Sequence, residues 1–483
     1  MQVTHLISGD TACVVWPLGF SQPIQNRAFS SLSRALSRSP PGASRRRQSL
    51  APSASDVMIM SVWGLALCGY TPLVPGTAVT VTPSDARLIY EGRWEARDDS
   101  RVADWPCTGV RLVVESTSDE GAVHIAWRGV RTRILAAVSW ASNNSRVSET
   151  VLKGSSTDWP LWFGKSGGAV TRSSLMLPRG RFTILLRKLT SATPYAMGIG
   201  RFFSPSLLEF YGLELDESVK LLAADEHWAP RARIRFIGAS DTAGYCVDGT
   251  PETSTYETTL NGWSYSNCDS AYPGIVGRKL EAFISVQALA GAGVTQNAFA
   301  NIPDAVGRLT MAHLLNRTLQ TDECVWNEKL SPPNDLVVIS LGGNDFNHQK
   351  VDQLPSNASF HAAYTSMLDG IFDRRRTPAG EFAVAAICGM GSPDEMRYDP
   401  NNYRCRPCPH VEDAVKGYKE AHPERHLEYI SIPCDGGVVS GQGDMGCAGH
   451  KNAVGQGEVA DYLVPRLERL LARMRQPGEG LIR

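Results

Sequence analysis

Between positions 85 and 222 the apolar residues fall in short runs. VRLVVES (110–116), GAVHIAWRG (121–129), RILAAVSW (133–140), RFTILLRKL (181–189) and LLEFYGLEL (207–215) are separated by clusters of Gly, Pro, Ser and Asp. Short strands at regular spacing with turn signals predict a β-sandwich or jelly roll. Trp94, Trp105, Trp127, Trp140, Trp159 and Trp162 would bulk out its core. After the polar passage ADEHWAPRAR (224–233) the pattern changes. RIRFIG (233–238), FISVQALAG (283–291), DLVVISLGG (335–343), EFAVAAICG (381–389) and LEYISIP (427–433) are compact apolar runs. Helical stretches alternate with them. Residues 359–375 place Phe360, Tyr364, Met367, Leu368, Ile371 and Phe372 on one face, and residues 454–474 do the same despite Pro465. Buried strands alternating with amphipathic helices predict a parallel sheet covered on both faces, with chemistry where strand ends open into loops. The expected division is 1–80 a targeting region, disordered or cleaved, 85–222 the β domain and 232–475 an α/β/α domain.

Composition changes the picture mainly at the N-terminus. The chain has 483 residues with 48 Lys and Arg against 49 Asp and Glu. Residues 1–78 hold six of the Arg and two of the acids, which leaves a mildly acidic body of 42 basic and 47 acidic residues. A nucleic-acid partner, which asks for a basic face, is not expected. Arg45, Arg46 and Arg47 precede the apolar run VMIMSVWGLALCGY (57–70). Fourteen residues suit a signal h-region and are short for a stable membrane span. Secretion is the expectation, starting from Met58 or Met60. Targeting to an organelle by the Arg/Ser-rich stretch is the alternative. Nine of the eleven Cys lie after residue 78, in loop-like surroundings that suggest disulfides. The odd number leaves at least one of them unpaired. Sequons at Asn143, Asn316 and Asn357 permit glycosylation. The CxxC of CRPCPH (405–410) lacks a second pair, so a loop disulfide or two free thiols is expected there instead of a metal site.

The candidate chemistry gathers at the strand ends. Ser240, in FIGASDTAGYC (236–246), ends the first strand of the second domain among small residues and can serve as a nucleophile. Gly291 can present a backbone N–H, and Asn344 of GGND (342–345) can aim its side-chain amide at the same oxyanion. His450, in GCAGHKNAVGQGEVADYL (446–463), stands just before the last helix and is the candidate base; His348 is a weaker rival. His124 reads as structural, and His410, His422 and His426 as surface residues. FGKSGGA (163–169) contains G-x-S-x-G around Ser166, but no helix pattern follows it.

These four segments, in this order, resemble the SGNH (GDSL-type) hydrolase superfamily. The likeness is closer still to carbohydrate esterase family 2, over EGRWEARDDSRVADWPCTGVRL (91–112), ECVWNEKLSPPNDLVVISLGGNDF (323–346) and GCAGHKN (446–452). The resemblance spans roughly residues 85–475. It implies an SGNH-type three-layer α/β/α parallel-sheet domain preceded by a β-sandwich (jelly-roll) domain. It also implies a serine esterase that removes O-acetyl groups from polysaccharides such as xylan or glucomannan, without metal or organic cofactor. By position, Ser240 is the nucleophile, His450 the base, and Ser240 N–H, Gly291 and Asn344 the oxyanion donors. Trp326 is the candidate sugar-stacking residue, with Trp263 and Tyr265 behind it. Two departures stand out. Ala239 replaces the Asp of Gly-Asp-Ser, with Asp241 following instead, and no acid stands two or three residues before His450. A Ser–His dyad is therefore expected, with the His450 Nδ1–H on a backbone carbonyl or on Asp444. The same departures motivate the alternative of a carbohydrate-binding protein on a degenerate esterase scaffold. An esterase of the same mechanism acting on another acyl group is a third reading. The polysaccharide, the acetyl position and the oligomeric state are left open.

Overall fold

A computed structural model describes residues 78–475 apart from 130, 155–168, 191–205, 224–229, 254–261, 299–308, 321–324, 328–331, 348–353, 374–381, 392–403 and 442. The apolar run at 57–70, Trp159, Trp162, Ser166, Cys324 and His348 lie outside the described residues.

The first twelve described strands are β1 (Val79–Val81), β2 (Ile89–Glu91), β3 (Glu95–Ala96), β4 (Arg101–Ala103), β5 (Gly109–Ser116), β6 (Gly121–Gly129), β7 (Arg133–Trp140), β8 (Arg146–Lys153), β9 (Thr171–Leu177), β10 (Gly180–Lys188), β11 (Leu208–Leu215) and β12 (Val219–Leu222). They build two antiparallel sheets. One runs β3–β4–β11–β6–β9 with β1 also on β11; the other runs β12–β5–β10–β7–β8 with β2 on β5. Alternate residues of facing strands share one core: Val123, Ile125 and Trp127 of β6 meet Leu112 and Val114 of β5 and Ile184 and Leu186 of β10. This is the period-two burial of a sheet with one face inward. β1 starts before residue 85 and pairs with β11. Two tryptophans depart from expectation. Trp140, at the end of β7, is 37% exposed and packs on Phe182. Trp105 is buried with residues of the following layers, not in the sandwich core, and its Nε1–H donates to Thr318 O at 3.0 Å.

Strands β13 (Ala232–Gly238), β14 (Ala282–Ala288), β15 (Leu336–Ser340), β16 (Ala383–Cys388) and β17 (Leu427–Ser431) form a parallel sheet in the order β14–β13–β15–β16–β17. Around it stand α1 (Ser240–Ala243), α2 (Tyr272–Lys279), α3 (Met311–Leu314), α4 (Asn357–Asp373), α5 (Cys408–Ala421) and α6 (Ala453–Arg475). Ile237, Val337, Ile339 and Val384 face Phe360 and Tyr364 of α4 and Val411 and Ala414 of α5. Phe236, Val338 and Ala385 face Tyr272 and Val276 of α2 and Val459, Leu463 and Leu467 of α6. Helices thus cover both faces of the sheet. Counted within this sheet, the strand order is 2-1-3-4-5. Its direction of winding reverses between β13 and β15, which leaves a crevice at their carboxyl ends. Ser240 follows the first of these strands and Asn344 the second.

Among the described residues eight cysteines are paired, as Cys107–Cys268, Cys246–Cys447, Cys388–Cys408 and Cys405–Cys434. The CxxC cysteines are therefore neither bonded to each other nor free; each reaches a different element. No helix among the described residues is long and apolar enough to cross a membrane.

Candidate active site

The turn carrying Ser240 is built by close packing. A Cβ at Gly238 would collide with the Thr242 side chain, so glycine lets the strand fold directly into α1. Thr242 Oγ1 in turn shares a 2.8 Å hydrogen bond with Tyr272 Oη of α2. Ser240 opens the helix, and a first-turn N–H has no intrahelical acceptor. It is free to serve an oxyanion.

Asn344 lies in the 3-10 turn Gly343–Phe346 that follows β15, and is 8% exposed. Its Nδ2 donates to Ala292 O at 2.9 Å, and the second Nδ2 hydrogen remains for another acceptor. Gly291, next to Ala292, has φ +81°, a conformation that favours glycine. Asp345 holds these two loops together. Its buried carboxylate accepts from Val294 N at 2.9 Å, Thr295 N at 2.6 Å, Gln296 N at 3.1 Å and Thr295 Oγ1 at 2.6 Å.

Ser240 and Asn344 line one cavity of about 50 Å³, together with Asp241, Leu341, Ile387, Gly389, Met390, Arg404 and Pro407. Its volume suits a group of a few heavy atoms. Gly291 and His450 are outside this lining. Trp326 is too: it is half-buried, with the Arg93 guanidinium 5.4 Å from its ring centroid.

His450 is tied to the segment that follows the Ser240 turn. Cys447, three residues before it, is bonded to Cys246, and the Tyr245 ring meets the imidazole edge-on with centroids 5.0 Å apart. Its Nδ1–H donates to Ala448 O at 2.8 Å, since a carbonyl can only accept. Asp444 is occupied elsewhere, accepting from Ser440 N at 2.7 Å and Gly441 N at 3.0 Å. Of the two acceptors considered for His450, the backbone carbonyl is the one in reach. No hydrogen bond joins Ser240 Oγ to the ring among the described residues. Such bonds are often long in unliganded sites and tighten with substrate.

Three charged groups surround this pair. Asp241 Oδ2 accepts from Arg404 Nε at 3.1 Å, and Asp241 Oδ1 lies 3.3 Å from Lys451 Nζ. Arg404 Nη2 also donates to Gly449 O at 2.6 Å. Burial alone would raise the Asp241 pKa, but Lys451 and Arg404 pull it well below the usual carboxylate range. Burial lowers the pKa of His450, Asp241 opposes this, and Arg404 and Lys451 add to it; the result is about 4. The ring is therefore neutral at neutral pH. Asp241 and Lys451 sit directly after Ser240 and His450, a position that could have drawn attention to them in the sequence. Nothing local marks Arg404 or the role of Asp345.

Solved structures with this architecture were found. A family two carbohydrate esterase from Clostridium thermocellum, in complex with cellohexaose, matches at 19% identity and TM-score 0.57 over 80% of this chain and 99% of its own. A family two carbohydrate esterase from Cellvibrio japonicus matches at 14% identity and TM-score 0.59, over 82% and 99%. This chain has the fold of the family two carbohydrate esterases. An acetyl xylan esterase from the rumen bacterium Butyrivibrio proteoclasticus shares that fold, at 14% identity and TM-score 0.58 over 82% of this chain and 99% of the other. No family model matches the chain, and no curated protein matches it in sequence. Within this family two fold, the described residues include no group of three or more His, Cys, Asp and Glu able to hold a metal ion.

Proposed function

We propose that the protein is a secreted serine esterase that removes O-acetyl groups from a polysaccharide such as xylan or glucomannan. The antiparallel sheets would be its jelly-roll domain. One observation carries this reading. Ser240 and Asn344 share a small cavity at the switch point of the sheet, with a neutral imidazole tied to the segment that follows Ser240 by the Cys246–Cys447 bond and the Tyr245 ring. In the reaction, His450 Nε2 takes the proton of Ser240 Oγ as the oxygen attacks the acetyl carbonyl. The N–H groups of Ser240 and Gly291 and the amide of Asn344 receive the oxyanion. Collapse breaks the ester bond, and the sugar oxygen leaves with the proton from His450. Water, deprotonated by the same ring, then releases acetate from Ser240. The Nδ1–H bond to Ala448 O holds the tautomer that leaves Nε2 free to accept. Four disulfides among the described residues support an oxidising, extracellular setting. The solved neighbours whose printed descriptions mention cellohexaose and acetyl xylan support a glycan substrate.

The test is acetate release from acetylated xylan and glucomannan, beside aryl acetates and longer aryl esters, with wild type and Ser240→Ala. Release from the glycans by wild type, lost in Ser240→Ala, is expected. A wild type that binds acetylated glycan but releases no acetate would favour a binding protein on the same scaffold. Preference for longer acyl chains would move the substrate class.

A further inference from the structure

The acid that usually orients a catalytic histidine is missing from the positions before His450, while an acid stands where the sequence departs from Gly-Asp-Ser, directly after Ser240. The geometry connects these two departures. Asp241 is held between Arg404 and Lys451, with its carboxylate oxygens 3.1 Å from Arg404 Nε and 3.3 Å from Lys451 Nζ. Lys451 is the residue after His450, and its side chain is fully buried. Arg404 Nη2 donates to the carbonyl of Gly449, the residue before His450. Both backbone neighbours of the imidazole are thus tied to the carboxylate adjoining the nucleophile. The main-chain oxygen of Asp241 is engaged as well, accepting from Gln456 Nε2 of α6 at 3.2 Å.

We propose that Asp241 is the positioning residue for His450: it sets the ring through the residues on either side of it without touching the imidazole. The inference rests on the esterase reading above. The Asp241 carboxylate lies in the first turn of α1, and both of its cationic partners reach the loop that carries His450. The ring then has only Ala448 O as the acceptor of its Nδ1–H, and that bond depends on the backbone of 448–451 keeping its shape. Ala448 itself sits at φ +51°, a left-handed conformation costly for a residue with a side chain. Gly449 follows at φ +67°. A backbone with two successive left-handed residues relaxes readily unless it is held. Here it is held by the Cys246–Cys447 bond on one side and by the Asp241 ion pairs on the other.

The experiment uses the full chain as wild type, Ser240→Ala, Asp241→Asn and the double variant Asp241→Ala/Lys451→Met. The double variant removes the carboxylate together with the fully buried Lys451, and Arg404 keeps its bond to Gly449 O, so thermal stability is read first and only folded protein is compared. Three quantities are read: thermal stability, kcat and KM on an aryl acetate, and the exchange of the His450 Nδ1–H by NMR. The folded double variant is expected to lose about a hundredfold in kcat with KM within about threefold, as follows from a misplaced base. Its ring N–H is expected to exchange at least tenfold faster than in wild type. Asp241→Asn keeps an acceptor for Arg404 and is expected to fall between the two. A folded double variant with kcat within threefold of wild type, or with its ring N–H exchanging at the wild-type rate, overturns the proposal. Failure of the esterase reading looks different: wild type would be no better than Ser240→Ala on the ester, while the ring N–H would still report on the clamp.

Discussion

His450, the proposed base, carries an imidazole whose protonation is governed by what surrounds it. Burial disfavours the imidazolium, Asp241 favours it, and the cations Arg404 and Lys451 disfavour it again; the Tyr245 ring edge adds no charge. The balance leaves a pKa of about 4, below the ordinary histidine value. General-base catalysis needs the neutral ring, so activity should be lost as pH falls through that value and not through about 6.5. The expected kcat/KM profile on an aryl acetate is flat from neutral pH down to about 5, with its acid limb centred near 4. A limb centred near 6.5 would show that the ring is solvated or that another group is the base. Ser240, Asn344 and His450 were visible in the sequence because each sits in a short motif at a strand end or before a helix. The groups that tune the base were not. An ion pair such as Asp241–Arg404 joins residues 163 apart, and only folding brings them together.

Strands that bury one or both faces were legible in the same way. β5, β6, β7, β10 and β11 match apolar runs to within one residue, and all five strands of the parallel sheet do so to within three. β8 was missed because its face is solvated: RVSETVLK has one half-buried residue and seven exposed ones, so edge pairing with β7 alone makes it a strand. α2 was missed for a different reason. YPGIVGRK carries Pro273, Gly274 and Gly277, all poor helix residues by propensity. Gly277 is required by packing, since a Cβ there would run into Ile284. Tertiary contact overrides propensity in that helix. α6 poses the converse question. Pro465 lies inside a continuous 23-residue helix, on an exposed position. It lacks the N–H that would bond four residues back. Pro465→Ala restores that bond where no packing is disturbed. It should raise stability by about 1–2 kcal/mol, after the gain in unfolded-chain freedom is set against it. Thermal melts should show a higher Tm with ester hydrolysis unchanged. A Tm at or below the wild-type value would mean that the proline bends the helix usefully against the sheet.

The sandwich and the parallel sheet are joined by buried polar groups as well as by the apolar packing of Trp105. Arg187 of β10 is 2% exposed and pairs with Glu91 of β2 and with Asp269, which precedes α2. Burial opposes ionisation of both carboxylates, and their arginine partners hold the pKa values down nevertheless. Arg93 donates to Leu315 O and Arg317 O, each at 2.8 Å, Arg133 donates to Ser264 O and Ser266 O, and Cys107 is bonded to Cys268. Every one of these links lands on a segment downstream of the Ser240 turn or on the α3 region. The sandwich therefore braces the loops around the site. Such an interface predicts that the two sheet systems unfold together, in one calorimetric transition whose van't Hoff and calorimetric enthalpies agree. Arg187→Met tests this directly. It takes one arginine away from each of two buried carboxylates, and breaking a buried pair costs about 3–5 kcal/mol. Glu91 keeps Arg111 and Asp269 keeps Arg278, so the lower end of that range is expected. If the halves are coupled, the whole transition moves down in temperature as a single peak, and ester hydrolysis is lost over the same interval. If they fold independently, the variant instead splits the melt into two transitions, of which the later one keeps the wild-type temperature and the activity follows whichever half holds Ser240.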